Sequence, residues 1–512
     1  MVLASNAEPA WDVTTGSSSI VVAVLDTGVR FDHPDLKTVA NGGNLLPGYD
    51  MIADVDTAND RTGRDADASD PGDWINQADV NSGRYAPCTS ADIADSSWHG
   101  TQVAGLIGAL TNNAVGMASV GRNVRVLPVR VLGKCGGFDS DIIAGMLWAA
   151  GLSTGDPNVP ANPAANRAKV INMSLGGQGP CTQPYQDAVT ALTAAGVTVV
   201  ASAGNGTGHA VNSPANCVGV IGVTGLRHVG TKVGFSDLGP EVSLSAPGGN
   251  CVNEGANDPC LYPVLTTSNS GSTVPAASIY TDQFNISIGT SFSAPLVAGS
   301  AALVLAAKST LSPAEVRTVL RATARPFPTT GADNGSIPGP VPVCHAPDLT
   351  DQLQCYCTTN TCGAGMLDVG AALQSVLASA GIVANITVST SNPVVGTPIG
   401  FSAAATALAP GNAGVGTYAW SIVDSGGIVS GFNGATDGPN ASLTPNKAGG
   451  TIIVRLTVTD LAGQHSSTTA RSVSVPAPPP ATATNSGSGG ALSAGWLALL
   501  LGAVLALARL RP

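Results

Sequence analysis

Ile20-Val-Val-Ala-Val-Leu25-Asp26-Thr-Gly28 is an unbroken run of β-type apolar residues that stops at an acid and a glycine. A run that is apolar throughout, rather than alternating, reads as a strand buried on both faces, and the carboxyl end of such a strand is where an open parallel sheet presents its chemistry. Similar runs recur at 124–131, 170–173 and 197–201, separated by Ala-rich stretches of helical character. The alternation predicts an α/β fold, a parallel β-sheet covered by helices. Two more motifs, Trp98-His99-Gly-Thr and Gly289-Thr-Ser291-Phe-Ser-Ala-Pro295, each stand at the mouth of a small-residue apolar stretch that reads as a helix. Behind Ser291 that helix is expected over 294–307, with Pro295 in its first turn, where a missing N–H is tolerated.

Asp26, His99 and Ser291 together point to one chemistry. A serine hydroxyl is a weak nucleophile at neutral pH, so it needs an imidazole to take its proton and a carboxylate to hold that imidazole in the right tautomer. Singly, His99 would pass for a structural histidine and Asp26 for a helix cap. Their joint presence at strand ends and helix starts argues against both readings.

At 512 residues and 44% apolar content the chain has material for more than one core. The formal charge is −11, with 29 Asp, 4 Glu and only 6 Lys, so the clustered basic surface of a nucleic-acid binder is missing. Nine Asp fall between Asp50 and Asp79 in a Gly- and Asn-rich stretch without helical periodicity. Short carboxylates so dense on loops repel one another and suit a hard cation, which makes Asp54, Asp56, Asp65, Asp67, Asp70 and Asp73 candidate calcium ligands; the alternative is a solvated acidic loop. Ten Cys, mostly in loop-like sequence, favour disulfides and an oxidising compartment. Cys251 and Cys260 are close enough in sequence for a local bridge, and Cys344, Cys355, Cys357 and Cys362 are expected to pair among themselves. A zinc site from those four with His345 is the rival, but the paired C-x₂₋₄-C rhythm is absent.

The motifs Asp26-Thr-Gly-Val, His33-Pro-Asp35-Leu, His99-Gly-Thr, Asn172-Met-Ser-Leu-Gly-Gly, Ala203-Gly-Asn205 and Gly289-Thr-Ser291-Phe-Ser-Ala-Pro resemble, in order and spacing, those of the subtilisin-like serine proteases, the subtilases. The resemblance covers residues 10–375 and implies a serine endopeptidase acting through an acyl-enzyme, with Ser291 as nucleophile, His99 as base and Asp26 as its orienting carboxylate. It further implies an oxyanion site made by the Ser291 N–H and the Asn205 side chain. Asn205 alone would pass for a turn residue. Peptide substrate would lie as an extended strand along Ser174, Leu175 and Gly176, with Ser202, Ala203 and Gly204 completing the walls of the first specificity pocket and Asn212 at its base. Those small residues suggest room for a large apolar side chain, and no acid maps to the floor. By the same likeness Asp35 matches a calcium ligand, although its usual N-terminal partner is not recognisable, and Cys88 with Cys135 and Cys181 with Cys217 are expected bridges. Gln102 departs from the pattern, since relatives carry a second His there; it lies off the triad, so tuning rather than loss is expected.

Beyond this region, residues 382–476 turn to alternating Val, Thr, Ser and Gly, as in Ile453-Val-Arg-Leu-Thr-Val-Thr-Asp460, which reads as an immunoglobulin-like β-sandwich. Through Tyr418-Ala-Trp420 and the strand at 454–460 it resembles a PKD-type module, expected to act as a spacer or weak binder. Residues 477–490 form a Pro-rich, then Gly/Ser-rich linker. Residues 491–508 carry no charge and end in Arg509-Leu-Arg511, a terminal apolar helix barely long enough to span a bilayer. This tail resembles the bacterial GlyGly-CTERM sorting signal, which implies export to the surface and removal by a processing protease; a permanent anchor is the alternative. No secretory signal or propeptide of the kind relatives carry precedes residue 10, so the natural precursor is expected to be longer. Two other functions stay open on sequence: a surface adhesin using the protease fold as scaffold, and a membrane-tethered processing protease.

Overall fold

The computed structural model describes residues 5–85, 88–251, 260–332 and 339–477. Seven strands, β1 (Val21–Asp26), β2 (Tyr49–Asp50), β3 (Arg125–Arg130), β4 (Val170–Met173), β5 (Thr198–Ser202), β6 (Ile221–Leu226) and β7 (Val242–Pro247), form one sheet in the order β2-β3-β1-β4-β5-β6-β7. Every pairing in it is parallel. The opening run of the sequence is therefore an interior strand, third of the seven and held between β3 and β4, and all six of its residues are buried. Successive side chains of a strand point to opposite faces. Accordingly Val22 and Val24 join a core with the helices His99–Gly108 and Thr290–Ala307, while Val21, Ala23 and Leu25 join a second core with the helices Asp139–Ala149 and Gln183–Ala194. Each fully buried Val or Leu of this kind contributes about 1.5–3 kcal/mol relative to exposure, which is why the run had to be apolar on both sides.

The helix carrying Ser291 starts earlier than the sequence predicts, at Thr290, and this puts Pro295 inside it rather than in the first turn. A proline there has no N–H for the carbonyl four residues back, which is that of Ser291. The Ser174 hydroxyl takes that carbonyl instead, at 2.6 Å, so the irregularity is satisfied by a residue of the cleft wall. At 18 residues and a mean hydropathy of 1.6 this helix is long and apolar enough to cross a membrane, but it is 94% buried, as befits a core helix.

Residues 382–476 form two three-stranded antiparallel sheets, Thr387–Val388 with Ile399–Ser402 and Asn440–Leu443, and Val415–Asp424 with Gly450–Asp460 and Ser466–Val475. Phe401, Trp420, Leu456 and Val473 lie in the core they share. This module is not held at a distance, as a spacer would be. The Ser18 N–H donates to the Ala470 carbonyl at 3.1 Å, the Asn385 amide donates to the Val13 carbonyl at 2.7 Å, and the chain up to Pro476 forms one compact unit. The expected linker and apolar helix lie outside the described residues from 478 onward.

All ten cysteines are paired, as Cys88–Cys135, Cys181–Cys217, Cys251–Cys260, Cys344–Cys355 and Cys357–Cys362. Cys344, Cys357 and Cys362 do sit together. Their sulfurs are committed to disulfides, which removes the zinc alternative.

Candidate active site

Asp26 ends β1, wholly buried, and one of its carboxylate oxygens meets His99 Nδ1 at 2.8 Å while accepting the Thr27 N–H at 2.8 Å. His99 is the first residue of its helix, about one-fifth exposed, so its ring reaches the cleft while its edge is held inside. The close meeting of strand end and helix start depends on Gly100, where a Cβ would come within 2.1 Å of the Gly28 carbonyl oxygen. Phe292, directly after Ser291, packs against the His99 ring at 5.6 Å between centroids. Ser291 Oγ donates to the Ser174 carbonyl at 3.2 Å, and no hydrogen bond joins it to His99 in this state. Catalytic hydrogen bonds are often long or absent before substrate arrives.

Asn205 stands exposed after β5, and its side-chain oxygen is occupied twice, by the Thr290 N–H and the Thr290 hydroxyl, both at 3.0 Å. With the oxygen held by Thr290, the amide nitrogen lies on the Gly289 side. A Cβ placed on Gly289 would lie 3.6 Å from Asn205 Nδ2 and 3.7 Å from the Ser291 nitrogen, so both donors border the one space that this glycine leaves open. Asp237, behind this loop, accepts the N–H groups of Gly206 and His209 and fixes its course. Ser174, Leu175 and Gly176 line a cavity of about 710 Å³ together with His99, Leu132 and Ile142. Asn212 packs against both Gly176 and Gly204 and donates its N–H to the Ala203 carbonyl, but Ser202, Ala203, Gly204 and Asn212 are not among the described residues that line this cavity.

Two residues expected among calcium ligands belong to this site instead. Asp70 is buried, accepting the Thr27 hydroxyl at 2.6 Å and the Gly72 N–H at 2.9 Å; the same Thr27 oxygen accepts the Gly100 N–H, so the pair ties the end of β1 to the start of the His99 helix. Burial and the nearby charge of Asp73 push its carboxyl up to about 7. Asp73 lines the cleft and accepts both the N–H and the hydroxyl of Ser97, whose oxygen in turn accepts the His99 N–H. Burial alone would hold the His99 imidazole below its ordinary value, but Asp26 outweighs it, with lesser help from Asp73 and Asp70, and the imidazole titrates above the usual histidine range. Removing the Asp73 charge withdraws stabilisation from the imidazolium, so Asp73→Asn will lower the His99 pKa. Titration of the imidazole by NMR checks this, and an unchanged or higher value would contradict it.

The remaining acids do not converge, and among the described residues no three carboxylates lie within 4.8 Å of one another. Asp54 caps a short helix at the Thr57 N–H, Asp65 and Asp67 each accept the N–H two residues on, and Asp56 pairs with Arg84 at 3.4 Å. The repulsion within the stretch is offset by side chains, Arg130 meeting Asp50 and Asp60 and Lys134 meeting Asp79, while Arg64 is taken by Asp141 and Asp156 outside it. Asp35 differs. It is fully buried without a Lys or Arg in ion-pair reach among the described residues, and accepts the Asn113 amide at 2.6 Å and the Tyr280 hydroxyl at 2.8 Å. The Asn113 side-chain oxygen beside it is buried with no partner. A buried unpaired carboxylate next to an orphaned oxygen is the donor chemistry a hard cation takes, so calcium fits at Asp35 and finds no such set in the stretch from Asp54 to Asp73.

Sequence reading missed Thr290 and Asp237, whose contribution is to orient Asn205 and its loop, and it missed the Ser174 hydroxyl. The absent N–H of Pro295 was the one available signal for the last. Gln102 donates to the Ser97 carbonyl at 3.1 Å and accepts the Ser287 hydroxyl at 2.8 Å, bracing the loop before His99 from outside the triad.

A sequence model described as the Subtilase family matches residues 17–354. Over 332 residues the chain is 44% identical to an extracellular protease of Xanthomonas campestris pv. campestris, covering 64% of this chain and 51% of that protein. It is 41% identical over 325 residues to an extracellular basic protease of Dichelobacter nodosus, covering 62% and 49% respectively. The chain thus spans about half the length of these curated relatives. A solved protease structure from Pseudoalteromonas arctica aligns with a TM-score of 0.60 at 40% identity, over 73% of this chain and 95% of that one.

Proposed function

Since the chain belongs to the subtilase family, we propose that it is an extracellular serine endopeptidase that hydrolyses peptide bonds of proteins through Asp26, His99 and Ser291. The observation that carries this reading is the 2.8 Å bond from buried Asp26 to His99, with Ser291 and the oriented amide of Asn205 on the same cleft. Substrate backbone would extend along Ser174, Leu175 and Gly176. A substrate N–H arriving at the Ser174 carbonyl would displace the Ser291 hydroxyl, which then turns to His99. His99 accepts the proton as Oγ attacks the scissile carbonyl, Asp26 holds the resulting imidazolium, and the proton passes to the leaving amine as the acyl-enzyme forms. The developing oxyanion is met by Asn205 Nδ2 and the Ser291 N–H. Water then repeats the sequence in reverse on the ester.

Digestion of an unfolded protein such as reduced casein, with the cut sites mapped by mass spectrometry, tests the reading. Varied cut sites weighted toward large apolar residues, lost in Ser291→Ala, are expected. No cleavage by folded protein, or cleavage that survives Ser291→Ala, would overturn it.

Calcium at Asp35 belongs to the same proposal as a structural ion. A ligand that binds only the folded state adds about 2.7 kcal/mol at one hundred times its dissociation constant. Chelation should therefore lower Tm in the wild type and leave Asp35→Asn unmoved; equal sensitivity of both proteins would remove the site. The PKD-type assignment of residues 382–476 is supported by their two antiparallel sheets, and the sorting-tail assignment of 491–508, with its processing protease, rests on sequence.

A further inference from the structure

Where the β-module docks, the chain gathers positive charge that nothing answers. A cavity of about 360 Å³ between the module and the parallel-sheet region is lined by Arg122 and Arg471, and no Asp or Glu is among the described residues lining it. Arg125, buried just behind, donates to the Gly43 carbonyl and the Ser472 hydroxyl, and Gly43 and Ser472 also line the cavity. Among the described residues, none of the three arginines has an ion-pair partner. Arg122 lies with its guanidinium 3.5 Å over the Trp11 ring, and the nearest acid felt there, Glu8, acts only through its field. Burial, and for Arg125 also the charge of Arg471, draws these groups down, Arg125 to about 9 and Arg471 to about 10.

Three of the residues that line this cavity carry a buried polar atom with no hydrogen-bond partner: Ser18 Oγ, Thr111 Oγ1 and Arg122 Nε. Buried donors are almost always satisfied, and three orphans on lining residues, together with arginines that lack an acid, describe a site suited to something that accepts hydrogen bonds and carries negative charge. In a chain of net charge −11, an uncompensated cluster of this kind is the exception. We propose that the cavity binds a small tetrahedral oxyanion, of the phosphate or sulfate class, held by Arg122, Arg471 and the hydroxyls of Ser18 and Thr111, and that the bound anion fastens the β-module to the sheet region. The ligand bridges both parts of the chain, because Arg471 comes from the module and Arg122, Ser18 and Thr111 from the sheet region.

Sulfate is the probe, applied to the full chain in a Ser291→Ala background so that self-digestion does not intervene. Equilibrium dialysis with radiolabelled sulfate should show saturable binding of one ion per chain, displaced by phosphate but not by acetate at the same concentration. Sulfate should also raise Tm over chloride at matched ionic strength, saturably and on the order of 1–3 °C. Arg471→Gln should lose both effects, yet melt no lower than its parent in chloride, since the change relieves the repulsion of Arg125. Absence of saturable binding, displacement by acetate as readily as by phosphate, or a sulfate effect equal in the two proteins would overturn the proposal. The dialysis result on the parent chain stands even if the Arg471 variant does not fold.

Discussion

His99→Ala will lower kcat on peptide substrates by roughly 10⁴–10⁶-fold with KM little changed, the largest effect expected from any single substitution in this chain. The size follows from the chemistry. Without an imidazole the Ser291 hydroxyl keeps its proton, and the leaving amine has no acid to receive one. The residue of activity that remains comes from the Asn205 and Ser291 N–H donors and from binding, which His99→Ala leaves in place. Because His99 packs on Phe292 and bonds only Asp26 through its ring, the loss should come without unfolding. Combining His99→Ala with Ser291→Ala should cost little more than either alone, since the two groups act as one unit. Multiplicative losses in the double variant would mean that they do not.

Asn205→Ala will lower kcat by about 10²–10³-fold, again with KM nearly unchanged, because its amide meets charge that exists only in the transition state. The geometry makes a companion prediction that a turn residue would not. Thr290 holds the Asn205 oxygen through both its N–H and its hydroxyl. Thr290→Val keeps the first bond and loses the second, so it should reproduce a smaller part of the same kcat defect with the same KM. Added to Asn205→Ala, it should do nothing further to kcat. A full second penalty in that double variant would show that Thr290 acts by another route.

Four strands of the parallel sheet, β1, β3, β4 and β5, were legible because they are predominantly apolar runs, one closing at Asp26 and another just before Asn205, a pattern that survives without any tertiary knowledge; β2, β6 and β7 were not read. The triad was legible because a nucleophile, base and carboxylate each fall at such an end or at a helix start. What sequence could not carry was anything decided by a partner far along the chain. Asp70 and Asp73 sat in an acidic loop and read as metal ligands; only the folded chain brings Thr27 and Ser97 to them. The density of Asp between Asp50 and Asp79 implied a missing cation, but the cations were Arg84, Arg130 and Lys134, which pair with Asp56, Asp50 and Asp79 from 28 to 80 residues away. Pro295 was placed in a first turn because propensity favours it there; Ser174, 117 residues from Ser291, removed the penalty for placing it deeper. The anion cavity was invisible for the same reason, being assembled from residues that meet only when the β-module docks.

The central claim is an activated Ser291, and labelling of the folded full chain with a fluorophosphonate tests it most directly. The account predicts one adduct per chain, located at Ser291 by peptide mass spectrometry, absent in Ser291→Ala and strongly slowed in His99→Ala. No adduct on a demonstrably folded wild-type chain, or an adduct at some other residue, would mean that the triad does not assemble, and the surface-adhesin reading would take its place.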